Sequence, residues 1–188
     1  MKKRITVLAL LVICISIAAY GTLAYFTYED TATNVITAGN LKIELINTSA
    51  AADGTSVPAE DVYDVMPGTD VSRVVSVKNV GGHAAWVRVA VDRTILLADG
   101  VTGEVDPGLV ELDFNMADWS ERDGYYYYNR PLYPGVTTEP IFTVITFSTS
   151  MGNMYQHSTA VVAVDAQATQ VANNGGSVFD AAGWPKAD

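Results

Sequence analysis

Cysteine is almost absent from this chain, with one residue among 188. That residue, Cys14, lies inside an apolar run near the start, so the remainder can form no disulfide and offers no thiolate to a metal. Histidine is nearly as scarce. His83 and His157 stand far apart, and neither belongs to a His-Glu-x-x-His pattern. A catalytic zinc site needs two or three such ligands at fixed spacing and a general base beside them. His83 falls in a Gly-Gly turn and His157 just before a strand, where a polar surface residue is the ordinary reading. No Gly-x-Ser-x-Gly elbow, Gly-x-x-x-x-Gly-Lys loop or Gly-x-Gly-x-x-Gly turn is present, which removes the familiar nucleophile elbow and nucleotide cradles. The acidic loop Asp99 to Asp106 lacks the Asp-x-Asp-x-Asp-Gly register of a calcium loop and reads as solvated. No catalytic residue, metal or cofactor is expected.

Positive charge is the next shortage. Lys and Arg number 11 against 21 Asp and Glu, for a net charge of −10 and a pI near 4.4. No basic run follows Lys2-Lys3-Arg4, so no nucleic-acid partner is expected. Those three residues precede an uncharged apolar run, Ile5 to Ala19, and then Gly21-Thr22-Leu23-Ala24. Together they read as an export signal, residues 1–24, with Thr22 and Ala24 at the positions that a signal peptidase recognises. The competing reading is a retained anchor, since Ile5 to Ala24 is long enough to cross a bilayer core of ~30 Å. Tyr20 and Gly21 end the aliphatic stretch early and favour cleavage after Ala24. Loss of 3 of the 11 basic residues leaves 8 against 21 acidic, a net of −13 over residues 25–188. The membrane is then a partner only through the signal segment, and the mature chain works outside the cell.

What the sequence has in abundance is period-two alternation. In Asp70 to Asn79, Val71, Arg73, Val75 and Val77 alternate with Ser72, Val74, Ser76 and Lys78. In Ala85 to Arg93, Val87, Val89 and Val91 alternate with Trp86, Arg88, Ala90 and Asp92. Each is a strand with one buried face, and Val80-Gly-Gly-His83 between them is a turn. Further strands are expected over Val35–Ile46, Leu109–Phe114, Tyr125–Asn129, Ile141–Thr149 and Thr159–Thr169, rich in β-branched and aromatic residues. Pro-Gly and Asp-Gly pairs punctuate them. Without a helical period anywhere in residues 25–188, the expected fold is all-β, an antiparallel jelly-roll-like sandwich over residues 25–172. Thr48 to Glu60 reads as an exposed loop and residues 173–188 as a flexible C-terminal tail. The run Tyr125-Tyr-Tyr-Tyr128 puts alternate rings on opposite sheet faces. Two readings stand: all four rings simply cover the sheet, or one pair, assigned to Tyr126 and Tyr128, offers an interaction surface.

Several segments together resemble the TasA/camelysin family of cell-surface and biofilm-fibre proteins. These are Gly21-Thr-Leu-Ala-Tyr-Phe-Thr-Tyr-Glu-Asp-Thr-Ala-Thr-Asn34, Asn34 to Leu45, Met66-Pro-Gly68 and Val77-Lys-Asn-Val-Gly81. Trp119 to Asn129, Leu132 to Thr138 and Val164 to Asn173 extend the likeness over nearly the whole chain. The resemblance implies export through a SipW-type signal peptidase and a secreted jelly-roll subunit at the cell surface or in the biofilm matrix. It also implies assembly with itself, or with related matrix proteins, by donor-strand complementation. Residues 25–34 would then be the donor segment, with Tyr25, Phe26 and Tyr28 as its anchoring aromatics. Two other readings stand beside this one. A camelysin-like secreted metallopeptidase would require ligands that the histidine count does not supply, and a monomeric adhesin or carbohydrate-binding module would use the tyrosine face.

Overall fold

The computed structural model describes residues 26–36, 41–51 and 53–185. The expected signal segment, including Thr22 and Ala24, and Tyr25 lie outside these residues. Among those described, the chain forms eleven strands: β1 Phe26–Ile36, β2 Ile43–Ala50, β3 Ser56–Pro58, β4 Val62–Val65, β5 Asp70–Asn79, β6 Ala85–Leu96, β7 Val110–Leu112, β8 Trp119–Arg122, β9 Tyr125–Tyr128, β10 Phe142–Phe147 and β11 Thr159–Gln170. One sheet has the order β4-β1-β11-β6-β9-β8 and the other β3-β2-β5-β10-β7. The two sheets pack face to face as a β-sandwich, and the expected all-β architecture holds.

The alternation read from the sequence decides which face of each strand is buried. Val71, Arg73, Val75 and Val77 of β5 are buried, and so are Val87 and Val89 of β6. From β11 come Ala160, Val162, Val164, Ala166 and Ala168, and Phe142, Ile145 and Phe147 from β10 complete the interior. Burying one Val, Leu or Phe side chain is worth about 1.5–3 kcal/mol. No cysteine follows Cys14, so a core of this extent holds the sandwich without disulfides. The β8–β9 hairpin turns on Asp123 (φ 52°) and Gly124 (φ 78°). A two-residue connection with both residues left-handed is the turn that matches strand twist, and Asp-Gly is a favoured pair for it.

Three expectations are corrected here. Val35–Ile46 is not one strand: β1 ends at Ile36 and β2 begins at Ile43, in different sheets. Thr48 to Glu60 is not all loop, because β2 runs on to Ala50 and pairs with β3 through Thr48↔Pro58 and Ala50↔Ser56. Small and polar residues hid this hairpin, since its β3 residues are exposed and show no apolar alternation. The first sheet is also not wholly antiparallel. β1 lies parallel to β11, from Thr27↔Thr159 to Ile36↔Gln167, with a register shift between Ala32 and Val35.

Candidate assembly site

Parallel pairing in an otherwise antiparallel sheet marks β1 as the unusual element, because it comes from the start of the described chain rather than from a hairpin. It occupies an interior place in the sheet. One edge pairs with β11, and the other pairs antiparallel with β4 through Phe26↔Val65 and Tyr28↔Val62. Phe26 and Tyr28, expected in a donor segment, therefore lie in a strand that completes the sheet of its own chain. Withdrawal of β1 would leave the inner edge of β11 unpaired and β4 with no strand neighbour among the described elements. The slot so opened carries an unpaired strand edge, a ready template for another strand.

The walls of the slot are held unequally. β11 is zipped to β6 along its whole length, from Thr159↔Leu96 to Gln170↔Ala85. β4 is short and stands at the sheet margin, directly after the crossing from β3 in the opposite sheet. There the fully buried Arg73 donates from Nη2 to the Glu60 carbonyl oxygen at 2.7 Å, and the Ala59 amide donates to the Asn47 carbonyl at 3.2 Å. Val65 of β4 is itself buried in the core.

The tyrosine run is placed differently from the expectation. β9 pairs with β6 in the register Val89↔Tyr126 and Arg88↔Tyr127. Val89 points into the core, so Tyr126 and Tyr128 do too, and they are not an exposed interaction pair. Tyr126 stacks on Phe114 with ring centroids 4.2 Å apart, and Tyr128 packs at 5.1 Å on the buried Trp119. The Tyr128 hydroxyl reaches the rim of the sandwich, where it donates to Glu139 and accepts from Arg130 Nε at 2.8 Å. Those two partners hold the Glu139 carboxyl down at about 2. Burial, with the Glu139 bond second, raises the Tyr128 phenol.

Tyr125 and Tyr127 take the outer face, and it is not bare. Residues 173–185 fold back over it, in place of the expected flexible tail. Val178 is buried against Trp86 and Tyr127, and Phe179 and Trp184 lie 5.2 and 5.8 Å from the Tyr127 ring. The Arg88 guanidinium sits between the Tyr125 ring, at 3.9 Å, and the Trp184 ring, at 4.7 Å, while its Nε donates to Gln167 at 2.9 Å. Asn174 closes the strap: Nδ2 reaches the Gln170 and Ala182 carbonyls at 2.9 Å, and Oδ1 accepts from the Ala182 amide at 2.8 Å. Guanidinium–aromatic contacts are worth about 0.5–2 kcal/mol each. Apolar residues spaced through a Gly- and Asn-rich segment gave no periodicity from which this docking could be read.

His83 and His157 are both exposed, and His157 takes a left-handed backbone with φ 59°. Among the described residues no three His, Cys, Asp or Glu side chains are grouped so as to hold a metal ion. No helix among them is long and apolar enough to cross a membrane.

In comparisons with protein families, with curated proteins and with solved structures, the chain matches none.

Proposed function

We propose that the chain is an exported structural subunit of the cell surface or biofilm matrix, whose copies join by donor-strand complementation. In this reading the leading segment, residues 25–34, leaves the slot between β4 and β11 of its own sheet and fills the equivalent slot of a neighbour. The observation that carries the reading is the position of β1: an interior strand, first among the described elements, that pairs parallel with β11 on one side and antiparallel with the short β4 on the other. An extended segment added to a sheet gains its affinity from backbone hydrogen bonds and its specificity from alternate side chains.

Filling the slot from within or from a neighbour forms the same ladder. Exchange of an identical element between copies is a low-cost route to assembly, and a head-to-tail exchange that does not close produces a filament. The balance is set by effective concentration, which favours the chain's own arm in dilute solution and a neighbour's arm when copies are crowded. Export at the cell surface supplies crowding. The net charge of −13 over residues 25–188 opposes it. Repulsion between like-charged subunits is screened beyond ~10 Å at 0.1 M salt, so assembly rises with ionic strength. Electron microscopy of residues 25–188 beside a form lacking residues 25–34 tests the reading. Fibres from the first and none from the second are expected, and equal assembly of both overturns the donor role.

A further inference from the structure

The second wall of the slot poses a physical problem. β4 spans Val62–Val65, and β1 is its strand neighbour in the sheet. Once β1 departs, a strand this short keeps only its core contacts at Val62 and Val65 and its flanking connections, and a β4 that collapsed onto the open edge of β11 would close the slot against any incoming arm.

Arg73 answers this problem. It lies on the inward face of β5, in the opposite sheet, where the alternation of the strand calls for an apolar residue, and it is fully buried. It stands just beyond Thr48↔Val74, the last pair that joins β2 to β5, and within the register shift between β5 and β10. From there its guanidinium crosses the sandwich interior to the Glu60 carbonyl, two residues before β4 begins. Burial of a cation is costly, and a Met or Leu would fill the same volume at no such cost. What an apolar side chain cannot do is hold a carbonyl of the β3–β4 connection at a fixed height between the sheets. The neighbouring Ala59 amide is tied to Asn47 of β2, so two successive residues of the connection, Ala59 and Glu60, are anchored to the second sheet.

We infer that Arg73 is a positioning residue for assembly: it fixes the connection that leads into β4 to the opposite sheet, so that the slot stays open to the arm of a second copy of this chain. The inference rests on the donor-strand reading above. The guanidinium is suited to this because its donors spread in a rigid plane, whereas a lysine ammonium is a point charge on a flexible stem.

The test follows uptake of a fluorescent synthetic peptide of residues 25–36 by the full mature chain, residues 25–188, read by anisotropy as the resident arm is exchanged. Arg73→Lys and Arg73→Gln are compared with the parent chain under conditions where near-ultraviolet circular dichroism and amide protection of β6 and β11 are unchanged. The parent takes up the peptide. Arg73→Gln is expected to take it up at least tenfold less, and Arg73→Lys to fall between them. Amide protection of residues 62–65 falls in step, which a general loss of stability would not produce selectively. If Arg73→Gln does not fold, the Arg73→Lys chain carries the test by the same two readouts. Equal uptake by the parent and a folded variant overturns the role of Arg73 and leaves the donor-strand reading standing. No uptake by the parent overturns that reading and this inference with it.

Discussion

Replacing Asn174 by Asp should release the C-terminal strap while leaving the sandwich folded. The two side chains have the same shape, but the amide nitrogen becomes an oxygen. In the folded chain Nδ2 donates to the Gln170 and Ala182 carbonyls at 2.9 Å, with the Thr169 hydroxyl at 3.1 Å. Asp offers no donor there, and its charge faces two carbonyl oxygens. Loss of two hydrogen bonds at about 1 kcal/mol each gives about 2 kcal/mol, or roughly a thirtyfold shift in the opening equilibrium of the strap. The bond from the Ala182 amide, at 2.8 Å, keeps an acceptor and survives. Hydrogen exchange read by mass spectrometry measures this directly: residues 173–185 should exchange roughly thirtyfold faster, with β6 and β11 unchanged. Tryptophan fluorescence should shift to the red as Trp86 and Trp184 become wetter, while Trp119 stays in the core. Unchanged exchange over residues 173–185 would refute the claim that Asn174 clasps the strap. Acceleration throughout β6 and β11 would show instead that strap and sandwich unfold as one.

The inward and outward tyrosines should behave differently. Tyr126→Ala removes a ring stacked on Phe114 and should lower stability by about 2–3 kcal/mol in a denaturant titration, whereas Tyr125→Ala, on the strap side, should cost about 1 kcal/mol. Glu139, held at about 2 in the folded chain against an ordinary value of 4.5, contributes stability that is complete above pH 4.5 and lost as the pH falls toward 2. Because the Glu139 side chain is nearly half exposed, solvent screening keeps this small. The Tm gap between the parent and Glu139→Gln should be at most about 3 °C at pH 7 and should vanish near pH 2. A gap that persists at pH 2 would mean that the carboxylate charge is not its source. Raising salt from 0.01 to 0.5 M should speed assembly of residues 25–188, followed by light scattering. A fall in rate would remove self-repulsion as the brake.

The buried faces of β5 and β6 were legible in the sequence because one-sided burial writes a period of two into the residue types. Val71 to Val77 and Val87 to Val91 show it plainly. The β8–β9 hairpin was legible only as far as its Asp123-Gly124 turn, since β8 is too short to display alternation. Tyr125 to Tyr128 defeats pattern reading altogether, because four identical residues carry no information about which pair points inward. The pairing Val89↔Tyr126 settles it, and that is a tertiary fact. The leading segment was legible as β-prone and aromatic. Its parallel place beside β11 depends on residues more than 130 positions away, and no local signal encodes that.

The most direct measurement of the central claim uses the absence of cysteine from residues 25–188. Glu29 and Val161 are register partners across β1 and β11. One chain carrying Glu29→Cys and another carrying Val161→Cys, mixed under assembly conditions and treated with a short thiol cross-linker, should yield a covalent dimer containing one of each. Recovery of only uncrosslinked chains, while fibres form in the same tube, would show that copies associate by some route other than passing the leading strand from one to the next.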